Sequence, residues 1–145
     1  SMASRLGDQS WLDTLTVMER AMREHVANYR GTVIKTTGDG VLAVFDGPTR
    51  AIECATVLVD AAARLQVPVR AGLHTGEIEH LPDGDIAGIA VHIASRVTDT
   101  RSTEGVTVSS TVRNLSAGSG VVFSDLGPHD LKGVTEPWQL FEVVR

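Results

Sequence analysis

Three short stretches hold residues whose types and spacing can do chemistry. In Lys35-Thr36-Thr37-Gly38-Asp39-Gly40 an ammonium and a carboxylate lie four residues apart across a glycine turn. Their side chains can reach one pocket mouth, though the same pair also suits a plain polar hairpin end. In Asp85-Ile86-Ala87-Gly88-Ile89-Ala90-Val91-His92-Ile93-Ala94-Ser95-Arg96 an acid precedes a helical run. His92 and Arg96 then share one helix face at i and i+4. In Leu131-Lys132-Gly133-Val134 a lysine sits beside glycine in a late loop, a place where a solvated turn is the ordinary reading. An acid before the helix and two cation-capable groups on one face are a more specific combination than a lone His or Arg on a helix. The phosphate-loop pattern G-x-x-x-x-G-K-[ST] is absent. His74 and His80 lack a paired ligand set at metal spacing. Glu77 and Glu79 fall on one strand face and read as solvent-facing.

The elements that must position these groups follow from periodicity. Trp11, Leu15, Met18, Met22, Val26 and Tyr29 form an apolar stripe, which predicts a helix over 8–30 with Asp8 as cap and Gly31 as stop. Residues 32–37 and 41–45 read as a hairpin around Gly38-Asp39-Gly40. Gly47-Pro48 opens a second helix with its stripe at Ile52, Ala55, Leu58, Val59, Ala62 and Leu65. Strands are predicted over 69–74 and 77–81, a loop at 82–85 and a third helix from about residue 88 to 97. Short strands near 106–108, 121–126 and 139–144 and a short helix near 110–115 complete the chain. Helices alternating with hairpins favour an α+β fold, with a mostly antiparallel sheet and helices packed on it. Residues 1–145 read as a single domain.

Composition narrows the classes. Apolar residues make up 42% and charged residues 21%, which suits a folded core and not a disordered chain. The formal net charge of −5 argues against a general nucleic-acid binder. Cys54 is a lone cysteine, so no disulfide framework exists within the chain. No run approaches the ~18 apolar residues of a membrane span, and no secretory signal is visible. A cytoplasmic setting without membrane contact is expected. Of the basic residues, eleven are arginine and two, Lys35 and Lys132, are lysine. Codon bias accounts for that skew, but not for where the two lysines fall.

Four ordered segments resemble the catalytic domain of class III nucleotide cyclases, especially bacterial, mycobacterial-like adenylate cyclases. They are Lys35–Gly40, Arg70–Glu77, Asp85–Arg96 and His129–Val134. The resemblance implies a ferredoxin-like cyclase fold. It also implies conversion of ATP to 3′,5′-cyclic AMP and pyrophosphate at the interface of a homodimer. Asp39 looks like the second of two metal-binding aspartates, for Mg²⁺ or Mn²⁺. Lys35 looks like the lysine that reads adenine, and Asp85 like its partner at the purine edge. Arg96 looks like the arginine that stabilises phosphate charge in the transition state, and Lys132 like the lysine on the terminal phosphates. His92 stands where an Asn is more familiar, and is expected to be catalytic. By resemblance Asp39 of one chain faces Lys35, Asp85, His92, Arg96 and Lys132 of the other.

One departure matters. Family members usually begin with a strand bearing a Phe-x-Asp-Ile motif and the first metal aspartate, and the sequence holds no such motif. The chain is therefore expected to lack one metal ligand, to be N-terminally truncated and to be weakly active or inactive. The alternative is a catalytically dead cyclase-like module for dimerisation or nucleotide sensing. Guanylate cyclase is disfavoured by Lys35 and Asp85. Diguanylate cyclase is disfavoured because no Gly-Gly-Asp/Glu-Glu-Phe motif occurs.

Overall fold

Helix α1 spans Met2–Asn28, but its apolar stripe is buried only along the second half. The computed structural model describes residues 2–37 and 40–145, with side chains from residue 7 onward. Met18, Met22 and Val26 are buried, whereas Trp11, Leu12 and Val17 are exposed. Asp8 lies inside the helix and does not cap it, because the turn preceding it is already helical. The stop differs as well. Arg30 adopts φ 60°, and the Gly31 amide donates to the Val26 carbonyl at 2.8 Å. Arg30 thus holds the left-handed position of a Schellman ending. Gly31 serves another purpose, since a Cβ there would lie 2.5 Å from the Phe45 ring.

Strands β1 (Thr32–Thr37) and β2 (Gly40–Val44) form the expected antiparallel hairpin. Its register slips between Val33 and Lys35, so Lys35 pairs opposite Leu42 beyond an irregularity. Such a bulge re-aims the side chains that follow it. Helix α2 (Pro48–Arg64) starts on Pro48 and buries Ile52, Ala55, Val59 and Ala62. Met18 and Met22 of α1 pack with Ala62 and Val67.

The main sheet has four strands in the order β3 (Arg70–Leu73), β6 (Gly105–Ser109), β8 (Trp138–Val143) and β7 (Phe123–His129). The β3–β6 pair is parallel and the other two are antiparallel. Every residue of β6 is buried, because both faces of this strand are covered. Val106 and Val108 pack with Ile52 and Val59 of α2 on one face. The other face carries helix α3 (Ile89–Asp99), whose Ile93 and Val97 pack with Leu131 and with Leu140 of β8. Gly72 makes that approach possible. A Cβ there would lie 2.4 Å from the Thr98 backbone nitrogen of α3.

A two-stranded ribbon, β4 (Glu79–His80) with β5 (Ile86–Ala87), leads into α3. The predicted loop at 82–85 is the tip of this ribbon. Helix α4 (Ser110–Leu115) is capped by Ser109, whose hydroxyl accepts from the Val112 amide at 3.4 Å. The mixed architecture is of the α+β class expected from the sequence, with antiparallel pairs predominating and helices packed on the main sheet. No described helix is long and apolar enough to cross a membrane.

Candidate functional site

Lys35 and Asp85 meet although fifty residues separate them. The Lys35 Nζ lies 2.9 Å from Asp85 Oδ2. The bulged hairpin delivers the lysine and the β4–β5 ribbon delivers the acid. Asp85 is held from three sides. Its Oδ1 accepts from the Ile86 amide at 2.7 Å, and its own amide donates to Asp83 Oδ1 at 2.9 Å. The Leu81 amide donates to the Asp85 carbonyl at 2.9 Å. The Lys35 hydrogen bond, and after it the Ile86 amide, holds the Asp85 carboxyl below its ordinary value. Both side chains stay partly exposed, at 48% and 30%, so the pair is open to a ligand. A carboxylate has about four lone-pair sites and an ammonium three donors, so each keeps hydrogen-bonding capacity.

A few residues further on, α3 carries the next two groups. His92 Nε2 lies 2.8 Å from the Lys132 backbone carbonyl. Arg96, one turn along, pairs loosely with Asp99 at 3.6 Å. Its Nε is buried and has no hydrogen-bond partner among the described residues. Lys132 sits on a tight turn in which the Val134 amide donates to the Leu131 carbonyl at 2.9 Å. Its side chain makes no ion pair among the described residues.

Five of the six residues singled out in the sequence therefore fall into two groupings around α3 and its approach: Lys35 with Asp85, and His92 and Arg96 with the Lys132 turn. Asp39 lies outside the described residues. Among the described residues no group of three His, Cys, Asp or Glu gathers to hold a metal ion. The described groups by themselves do not fit a metal cage.

Sequence reasoning missed the supports. Asp83 fixes the Asp85 amide, and Gly133 lets the His92 ring close on the backbone, since a Cβ there would lie 2.9 Å from Nε2. The glycine directly after Lys132 was the available signal. His74 is half-buried and packs as a structural group. Its Nδ1 lies 2.7 Å from Ser109 Oγ, its ring meets Trp138 edge-on at 5.0 Å, and burial lowers its pKa.

Chemically, the first grouping presents an acceptor beside a donor, which suits the edge of a heterocycle. The second presents cationic groups on α3 and the neighbouring turn, which suit phosphate charge.

No protein-family model matches the chain. It is 31% identical over 147 aligned positions to a protein of Rhizobium meliloti (strain 1021) named "Putative adenylate cyclase 3". That match covers 92% of this chain, which spans about a quarter (25%) of the relative's length. The structure of an adenylate/guanylate cyclase/hydrolase from Silicibacter pomeroyi superposes with a TM-score of 0.81 at 28% identity, covering 100% of this chain and 86% of that one. The adenylyl cyclase CyaB from P. aeruginosa superposes with a TM-score of 0.82 at 21% identity, covering 98% and 88%, and bears on the fold alone. In its fold and in this sequence similarity, the chain is similar to adenylate/guanylate cyclase domains.

Proposed function

We propose that this domain cyclises ATP to 3′,5′-cyclic AMP and pyrophosphate. The Lys35–Asp85 pair carries the reading. Adenine presents an exocyclic amino group that donates and a ring nitrogen that accepts, side by side. Asp85 accepts from the first and Lys35 donates to the second. Guanine presents the reverse order, a carbonyl beside a ring N–H, and would set acceptor against acceptor.

The reaction is intramolecular. The ribose 3′-oxygen attacks the α-phosphorus, the bond from that phosphorus to the bridging oxygen breaks, and pyrophosphate leaves. The 3′-hydroxyl proton passes to solvent or to phosphate oxygen. Little covalent help is needed, so the chain's part is positioning and charge neutralisation. Lys35 and Asp85 fix the base. Arg96 meets the charge that develops on the α-phosphoryl oxygens. Lys132 meets the departing pyrophosphate. Mg²⁺ or Mn²⁺ enters only as the expectation attached to Asp39. A homodimer is part of the proposal, with Asp39 of one protomer facing the purine and phosphate groups of its partner.

Incubation with Mn–ATP and with Mn–GTP, read as cyclic nucleotide by mass spectrometry, tests the reading. Cyclic AMP from ATP in clear excess over cyclic GMP from GTP is expected. Preferential cyclic GMP would overturn it, and ATP binding without any product would favour the dead-module alternative.

A further inference from the structure

His92 stands where α3 crosses the turn that carries Lys132. Its Nε2 lies 2.8 Å from the Lys132 carbonyl, and a carbonyl only accepts, so Nε2 is the donor. The contact is built for closeness. Gly133 has φ 83°, and a Cβ on it would come within 2.9 Å of that same nitrogen. The flanks of the turn are anchored as well. Leu131 is buried with Ile93 and Val97 of α3, and Val134 packs against the same cluster. The turn is thus held to α3 by apolar contacts at its two ends and by one hydrogen bond at its tip. Lys132 itself projects from that tip on a flexible four-carbon stem. Where its ammonium can reach depends on where the 132–133 peptide is held.

We infer that His92 is a positioning residue: its Nε2–H ties the Lys132–Gly133 peptide to α3, so that Lys132 and Arg96 act as one polyphosphate clamp. This rests on the assignment of Lys132 and Arg96 to phosphate made above. It differs from the expectation that His92 touches the reacting atoms, because its donor nitrogen is engaged by backbone.

Side-chain length separates the two roles. A glutamine at this position sets its amide nitrogen near the place of Nε2, whereas an asparagine reaches only as far as Nδ1. The test compares wild type, H92A, H92N, H92Q, K132A and the H92A/K132A double variant. Inorganic tripolyphosphate is titrated by calorimetry, and hydrogen exchange is followed at the Val134 amide. H92A is expected to weaken tripolyphosphate by about five- to tenfold, the loss of the ordering that one hydrogen bond gives the turn. H92Q restores most of the affinity and H92N does not. The double variant binds no more weakly than K132A alone, because His92 acts through that lysine. Val134 exchanges faster in H92A and H92N than in wild type and H92Q. Rescue by H92N without rescue by H92Q overturns the inference, as do additive losses in the double variant or unchanged Val134 exchange. Failure of the wild-type chain to bind tripolyphosphate overturns the phosphate reading, and with it the clamp. The Val134 exchange pattern still judges the tie between His92 and the turn.

Discussion

Lys35 and Asp85 illustrate how much a single pair of residues decides. Their ion pair is exposed on both sides and contributes little to stability, as such pairs generally do. Its importance lies in presenting donor and acceptor at fixed spacing. Lys35→Glu should therefore leave the melting temperature nearly unchanged while removing the preference for ATP over GTP, measured as the ratio of kcat/KM values. A variant that keeps the ATP preference would mean that other groups read the base. Arginine is not a simple replacement here, since its planar fork cannot present one donor to a ring edge in the same way. Locally, nothing in the sequence says that residues 35 and 85 touch. Only the resemblance joined them, and the distance of 2.9 Å supplies the physical counterpart. The His92 contact was illegible for a related reason: its partner is a backbone carbonyl, which has no residue type to read.

Elements translate such residues into position, and here the legible and illegible parts divide by physics. The stripes of α1 and α2 and the hairpin were readable because burial has a period. The slip between Val33 and Lys35 was not, because a bulge depends on pairing with β2 and not on residue type. Arg30 at φ 60° was missed because glycine, its neighbour, is the usual occupant of a left-handed position. Helix α3 rests on β3 through Gly72 with no room for a side chain. Gly72→Ala should push α3 away from the sheet, cost roughly 1–3 kcal/mol or more, and lower kcat together with stability, since His92 and Arg96 move with the helix. Chemical denaturation and kinetics on the same sample check this. A neutral outcome would mean that α3 shifts without consequence. His74 ties β3 to the start of α4 through Ser109. Its folded pKa is lowered by burial, so the native state binds fewer protons than the unfolded chain. Its contribution is full at higher pH and fades as pH falls past the unfolded value of about 6.5. The stability advantage of the wild type over H74N, which keeps a group near Nδ1, should shrink on acidification. Thermal melting of the two proteins across that range reads the difference, and a constant gap would contradict it.

At the scale of the molecule, β6 organises the rest. It lies between β3 and β8 and is buried on both faces, with α2 on one side and α3 on the other. The sequence showed the strand but not its centrality, because a run of five residues does not reveal which neighbours flank it. The two-group site is assembled around this frame from the hairpin, the ribbon, α3 and the late turn, segments that span about a hundred residues of sequence. One consequence of that assembly is chemical. The chain has two side-chain amines, and both lie at the proposed nucleotide site. Lys35 is already hydrogen-bonded to Asp85, while Lys132 projects exposed from its turn. A mild acylating reagent should therefore mark Lys132 first and Lys35 later, and ATP should slow both. Peptide mass spectrometry reads the order, and equal rates unaffected by ATP would contradict it. Amine labelling of this protein would then report the occupancy of its site, with no lysine elsewhere to add background.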